Sequence, residues 1–406
     1  MAALNHKPRL AIVSPFLDKS HGTERMVVEW IKNLEPKFEI HIYSQSVSDI
    51  DLSKVTWHRI RKLKCPHIVN FTWWFVANRL WRAWDRSRGL KYDLVFSPGV
   101  NCLDADAVSV HIVFAEFIRR VSSELRLSKH NVFAWPRLLH RILYYRMIVF
   151  LEHIVFTNPN TQLILTATQT ADELERLYGR RGDFPVLSTG LDHATFNPIR
   201  RFSLRESART KLGLARERFA ILLVGNDWRK KGLPTLLEAA ERLPRLPIEL
   251  LVVGRDDPGP FLAMILDRDL RSRVRFLPPR KDIEFYYAAS DVYVGPSLED
   301  TFALPAAEAM ACGLPVIISA RAGASALVTH GVNGMILHDP TDGHLLATMI
   351  EMLWEDDRFR VRLGETAAET TRPYTWEQSS SELAVIFEDI LRRKYSFSSQ
   401  TLTQKP

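Results

Sequence analysis

The chain has 406 residues, 46% hydrophobic and 25% charged, with a formal net charge of +7. That length and balance exclude a disordered or low-complexity chain and leave room for two domains with full cores. No apolar run approaches the roughly 20 residues that span a bilayer, and the first apolar run is too short for a secretory leader.

Three scattered cysteines, Cys65, Cys102 and Cys312, fit neither a disulfide framework nor a zinc spacing, so a reducing, cytoplasmic setting is expected. The charge is uneven. Residues 1–195 hold about 26 basic and 19 acidic side chains, and the remainder holds 28 of each. A basic first half predicts an anionic partner or surface.

In chain order, Arg9–Ser14 reads as a buried strand. A loop containing His21 and Gly22 leads to a helical pattern through Met26, Val27, Trp30 and Leu34. A glycine at such a strand-to-helix turn lets a ligand approach the backbone, and more often it is only a connection. Glu39–Tyr43 and Val55–Arg59 read as further strands. Residues 59–91 are basic and aromatic. At helical spacing Trp73, Trp74, Trp81 and Trp84 gather on one face and Arg79, Arg82 and Arg86 on another. That composition suits an interfacial amphipathic helix, or equally a packed helix with a solvated basic side. No nucleic-acid module accompanies it, so no nucleic-acid partner is expected.

Tyr92–Phe96 and Ala107–His111 are predicted strands, with Asp104 and Asp106 between them. Two acids at that spacing recur by chance, and no metal site is assigned. Residues 135–156 repeat the basic and apolar mixture, with too many charges for a membrane span. The run 164–168, a helix over Thr170–Tyr178 and the segment 186–198 follow. Gly190 supplies a turn, and a domain boundary is predicted near residue 192.

The second half alternates cleanly. Strands are predicted at Phe219–Val224, Ile248–Val253 and Val274–Leu277, with helices at Thr235–Leu243, Pro260–Leu270 and Ile283–Ala288. That alternation implies a parallel sheet. The loop from Gly225 to Gly232 carries Arg229, Lys230 and Lys231 between a strand and a helix, where cations and backbone N–H groups converge on an anion. Its plain alternative is a solvated basic loop.

The stretch from Asp291 to Ile318 is a strand, a loop, a helix beginning at Pro305 and stopped by Gly313 and Pro315, and another strand. Its loop places Asp300, Phe302, Ala303 and Leu304 at a strand end and a helix start, with Glu308 further along the helix. Free N–H groups there favour phosphate, and carboxylates accept from paired sugar hydroxyls. Equally, Glu308 can simply favour the helix N-terminal end and Asp300 be a solvated loop acid. Thr341 is read as capping a helix through Leu353, and a last amphipathic helix runs from Trp376 to about Arg393, with residues 396–406 polar and frayed.

These residues resemble the signature of the retaining GT-B glycosyltransferases of family four, the glycosyl transferases group 1. The family pattern has two acids separated by seven residues, the second opening Glu-Ala-Met-Ala-Cys-Gly-x-Pro-Val; Glu308–Val316 matches it, and Asp300 stands where the first acid is usually Glu. Lys231-Gly232 matches the end of the family's Gly-Arg-x-x-x-x-Lys-Gly loop, with Asn226 in place of the arginine. His21-Gly22-Thr23-Glu24-Arg25 is similar to its Gly-Gly-x-Glu-Arg loop, and Gly190–Pro198 to its crossing between domains.

The resemblance implies two Rossmann-like α/β domains with parallel sheets facing a central cleft, 1–192 on the acceptor side and 193–375 for the nucleotide, with a helix over 376–395 crossing back. It implies a retaining, metal-independent hexosyltransferase with no cofactor and a nucleotide sugar as co-substrate. Asp300, Lys231 and His111 take the catalytic positions. Gly22, Arg229, Lys230, Phe302, Ala303, Leu304 and Glu308 take donor positions, and Glu24, Arg25, Asp104 and His111 face the acceptor. A lone histidine such as His111 is more often structural.

The expected acceptor is a glycan or a lipid-linked sugar in cell-surface polysaccharide or glycolipid synthesis, with peripheral contact to an anionic membrane. The alternatives are a non-catalytic nucleotide-sugar-binding protein and, behind it, a phosphorylase.

Overall fold

The structure is a computed structural model that describes residues 7–19, 22–121, 135–268 and 270–402. Ser20 and His21 of the first loop, and the last four residues, lie outside the described residues. The chain forms two compact units. The first comprises Met1–Gly190 and Trp376–Pro406, and the second Leu191–Thr375.

The first unit contains β1 (Arg9–Val13), β2 (Phe16–Leu17), α1 (Gly22–Leu34), β3 (Glu39–Ser44), β4 (Ser46–Val47), β5 (Thr56–Arg59), α2 (His67–Ser87), β6 (Leu94–Pro98), β7 (Ala107–Val110), α3 (Phe114–Val121), α4 (Trp135–Thr157), β8 (Gln162–Leu165) and α5 (Thr170–Tyr178). Its six-stranded sheet has the order β5-β3-β1-β6-β7-β8, parallel throughout. Helices cover both faces of such a sheet, so central strands are apolar on both sides. Leu10, Ala11, Ile12 and Val13 are all buried accordingly.

The second unit contains α6 (Pro198–Lys211), β9 (Phe219–Val224), α7 (Leu233–Glu241), β10 (Ile248–Val253), α8 (Gly259–Asp267), β11 (Val274–Leu277), α9 (Glu284–Ala289), β12 (Val292–Gly295), α10 (Leu304–Ala311), β13 (Val316–Ser319), β14 (Met335–Leu337), α11 (Gly343–Glu355) and α12 (Asp357–Thr371). Its sheet order is β11-β10-β9-β12-β13-β14, again parallel. Each sheet grows one way from its first strand and then reverses. The reversal falls between β1 and β6 in one unit and between β9 and β12 in the other. At such a switch point the loops at the carboxyl ends of the two strands part in opposite directions and leave a crevice.

The last helix, α13 (Trp376–Leu402), belongs to the first unit. Trp30 Nε1 donates to Ser379 Oγ at 2.9 Å, and the Phe387 ring lies 5.9 Å from Phe38 and 5.2 Å from Phe96. This helix continues past the expected end near Arg393 to Leu402, because no glycine or proline stops it there.

Helices α3, α6 and α12 have no counterpart in the sequence pattern. In α6, arginines replace an apolar stripe. Asn197 caps it by accepting from Arg200 N at 2.8 Å. Arg201, Arg205 and Arg209 then reach the carbonyls of Ser290, Ala288 and Ala289 at 3.0, 3.2 and 3.0 Å, where cations offset the unpaired acceptors ending α9. The cap of α11 is Asp342, accepting from Leu345 N at 2.8 Å, not Thr341, whose hydroxyl donates to Asp339.

The expected faces of α2 also need correction. Trp74 and Arg82 are buried, at 0% and 1% exposure, while Trp73, Trp81, Trp84, Arg79 and Arg86 are exposed. Arg82 is drawn inward because Asp104 and Asn78 accept from its two terminal nitrogens. Among the described residues no helix is long and apolar enough to cross a membrane.

Candidate functional site

The switch point of the second unit gathers most of the residues singled out there. The loop after β9 and the loop after β12 are tied together. Leu298 N donates to Lys230 O at 2.8 Å. Gly232 has φ +81°, and a Cβ there would stand 2.0 Å from the Pro296 carbonyl oxygen. Only glycine permits both that backbone conformation and that approach. The loop after β9 is also anchored from below. The buried Trp228 indole stacks on Phe276 at 4.9 Å, and the Trp228 backbone N–H donates to the Asp256 carboxylate at 2.6 Å.

Across the two loops Lys231 Nζ pairs with Asp300 Oδ2. Both side chains keep some exposure, 21% and 14%, so the pair stands at the mouth of the crevice rather than in the core. The other oxygen, Asp300 Oδ1, accepts from Ala303 N at 3.1 Å. Ala303 precedes α10 with φ +66°, a conformation that costs a non-glycine residue about 1–3 kcal/mol. Asp300 and the Ala306 N–H, which bonds Ala303 O at 2.9 Å, hold it there. Pro305 has no N–H and the Ala303 N–H is taken. Leu304, half-buried, thus carries an N–H at the start of α10 with no hydrogen-bond partner among the described residues. Phe302 is half-buried beside it, its carbonyl accepting from Ala324 N at 2.6 Å.

Inside α10, Glu308 is 2% exposed, and its Oε2 accepts from Tyr287 Oη at 2.8 Å. Burial first, and then the Glu308 charge, push the Tyr287 phenol well above its usual range, so it stays protonated and donates. No local spacing signals Tyr287, which lies 21 residues earlier on α9. Arg229 is exposed on the same loop, and Lys230 is half-buried. The site thus offers cations, one helix N–H and one fixed buried carboxylate, a combination fit for a diphosphate flanked by hydroxyl-bearing groups.

In the first unit Gly22 is exposed at the first residue of α1, and Glu24 and Arg25 are half-buried in its first turn. His111 follows β7, buried, with Nε2 at 2.9 Å from Ser109 Oγ and its ring 6.4 Å from Trp30 of α1. Burial lowers its pKa to about 4, so the imidazole is neutral near pH 7. Asp104 does not join this group. Its two oxygens take Arg82 Nη1 and Nη2, each at 2.8 Å. Asp106 accepts from Val95 N and takes Lys394 Nζ, each at 2.8 Å. Among the described residues no cluster of three or more histidine, cysteine or acidic side chains is arranged to hold a metal ion.

Residues 205–370 match the family Glycosyl transferases group 1. A D-inositol 3-phosphate glycosyltransferase of Xylanimonas cellulosilytica is 32% identical over 244 residues, covering 57% of this chain and 58% of the relative. The chain thus spans little more than half the length of that relative. Among solved structures, WaaG, a glycosyltransferase involved in lipopolysaccharide biosynthesis, superposes with a TM-score of 0.77 at 19% identity over 93% of this chain and 99% of its own. Anabaena Alr3699/HepE in complex with UDP-glucose does so with a TM-score of 0.68 at 20% identity over 94% and 99%. The fold is that of these two-domain α/β glycosyltransferases.

Proposed function

We propose, from the membership of residues 205–370 in the glycosyl transferases group 1 family and from the site at their centre, that this chain is a retaining hexosyltransferase using a nucleotide sugar. The observation that carries this reading is the Lys231–Asp300 pair at the β9/β12 switch point, one helix turn from α10 and its buried Glu308. Glu308, oriented by Tyr287, accepts from the ribose hydroxyls. Lys231, with Arg229 or Lys230, offsets charge on the diphosphate, and the Leu304 N–H adds a fixed donor. An arriving diphosphate competes with Asp300 for the Lys231 ammonium and leaves Asp300 beside the donor sugar. Charge on the departing diphosphate is met by side chains and backbone, so the reaction proceeds without a metal ion or cofactor. The neighbour in complex with UDP-glucose supports a nucleotide-sugar donor.

The first unit then takes the acceptor, a glycan or lipid-linked sugar destined for the cell surface, at the cytoplasmic face of the membrane. Helices α2 and α4 support this. They pack together through His67 and Phe71 against Tyr144, at 4.7 and 5.6 Å. Both expose large apolar side chains, among them Trp73, Leu80, Trp84, Leu143 and Phe150. Arg79, Arg86, Arg141 and Arg146 are exposed between them, as a peripheral surface for anionic lipid requires.

The test is mass spectrometry of products from a panel of nucleotide sugars incubated with membrane extracts. A glycosylated product whose anomeric configuration, read by NMR, matches that of the donor supports the reading. Donor binding without turnover supports the non-catalytic alternative, and turnover that needs inorganic phosphate supports a phosphorylase.

A further inference from the structure

The Lys231–Asp300 pair is neutral as a unit, whereas a nucleoside diphosphate sugar carries about two negative charges and gains a third as the sugar departs. The site therefore needs a second cation. In the family pattern it comes from the arginine after the β9 glycine, and this chain has Asn226 there.

The structure shows what Asn226 does instead. Its Oδ1 accepts from Arg255 N at 3.0 Å, which binds the end of β9 to the loop after the neighbouring strand β10. The contact is close because Gly254 has no side chain. A Cβ on Gly254 would lie 2.2 Å from the Gly225 carbonyl oxygen. The Lys231 stem crosses Gly225 itself, where a Cβ would stand 2.9 Å from Lys231 Cε. The Arg255 backbone and the Lys231 stem thus both meet the end of β9. Neighbouring strands are only about 4.8 Å apart, well within the reach of an arginine. The Arg255 side chain is exposed and makes no ion pair or hydrogen bond among the described residues.

We propose that Arg255 is a phosphate-binding residue of this site, supplying from the loop after β10 the positive charge that Asn226 lacks. Asn226 serves it as a tether that fixes where the arginine begins. A planar guanidinium can take two phosphate oxygens at once, which the ammonium of Lys231 cannot do in a fixed plane. The proposal rests on the nucleotide-sugar reading above.

Calorimetric titration of UDP and of GDP into wild type, Arg255→Gln, Arg229→Gln, Lys231→Gln and the double variant Asn226→Arg with Arg255→Gln tests it. Arg255 is exposed and has no side-chain hydrogen bond or ion pair to lose among the described residues, so Arg255→Gln is expected to fold as wild type. It is expected to weaken binding of the preferred diphosphate by about tenfold or more, and of the corresponding monophosphate less. The salt dependence of binding should become shallower. The double variant should regain most of the loss, because its new arginine sits where the family pattern places one.

If Lys231→Gln weakens binding but Arg255→Gln stays within about twofold of wild type, the Arg255 assignment is overturned and the donor reading stands. A tenfold loss in Arg229→Gln with none in Arg255→Gln moves the second charge to Arg229 and overturns it equally. If neither diphosphate binds wild type, or Lys231→Gln changes nothing, both readings fall.

Discussion

Replacing Asp104 with Asn removes the charge facing Arg82 while keeping the shape of the side chain. Arg82 is 1% exposed and depends on two bonds of 2.8 Å to Asp104, with a third of 3.0 Å to Asn78 Oδ1. Removing one partner of a fully buried ion pair costs about 3–5 kcal/mol. Here the Asp104 side chain is 40% exposed, and Asn keeps one oxygen to accept, so the loss is smaller, about 2 kcal/mol. For a unit of this size each kcal/mol lowers Tm by about 2–4 °C, giving a fall of about 4–8 °C at pH 7.

The pH dependence has a definite sign. Burial pulls the Asp104 carboxyl upward, but the Arg82 guanidinium outweighs it and holds the pKa below the usual value. The pair's contribution is therefore present above the unfolded value near 3.9 and lost as pH falls through the lowered folded value. The gap in Tm between wild type and variant should close on acidification below about pH 4. Calorimetric unfolding at several pH values measures both. A variant that melts within about 1 °C of wild type at pH 7 would refute the structural role and return Asp104 to the acceptor side.

Lys231→Ala and Glu308→Ala should each weaken UDP or GDP binding by about tenfold or more, since each removes a charge-assisted contact; folded variants that bind like wild type would show the site misassigned. Turnover should survive EDTA, and a loss restored by manganese or magnesium would contradict the metal-free reaction. Wild type should sediment with anionic liposomes at low salt, less as salt rises, and less when Arg79, Arg86 and Arg88 become Glu. Each basic residue near such a surface contributes about 1 kcal/mol, so a triple variant that binds equally well would make the α2 surface structural. Arg82 is unsuited to that test, because Glu at a buried position would disrupt the unit itself.

Much of the fold was legible in periodicity. Phe219–Val224 and Ile248–Val253 are continuous apolar runs because parallel strands covered on both faces bury every residue. Glycine and proline marked where the chain turns, as at Gly313 and Pro315 after α10. The motif residues Lys231, Asp300 and Glu308 were nameable because loops at strand ends carry local signals.

What the sequence could not give were pairings across distance. Helix α6 has no apolar stripe, since its arginines bind carbonyls of a helix some 80 residues later, at 3.0 Å for Arg209 to Ala289. Arg82 and Arg79 look alike on a helical wheel, yet one is buried against Asp104 and the other exposed. Tyr287 reaches Glu308 from α9 through a hydrogen bond of 2.8 Å, and Arg255 N, in the loop after β10, donates to Asn226 at 3.0 Å. The sequence by itself determined the alternation of strands and helices and the loops where chemistry can sit, because both follow from local spacing. Only the tertiary structure decided which charges are struts and which remain available, because an ionised group enters the interior only where a distant partner meets it.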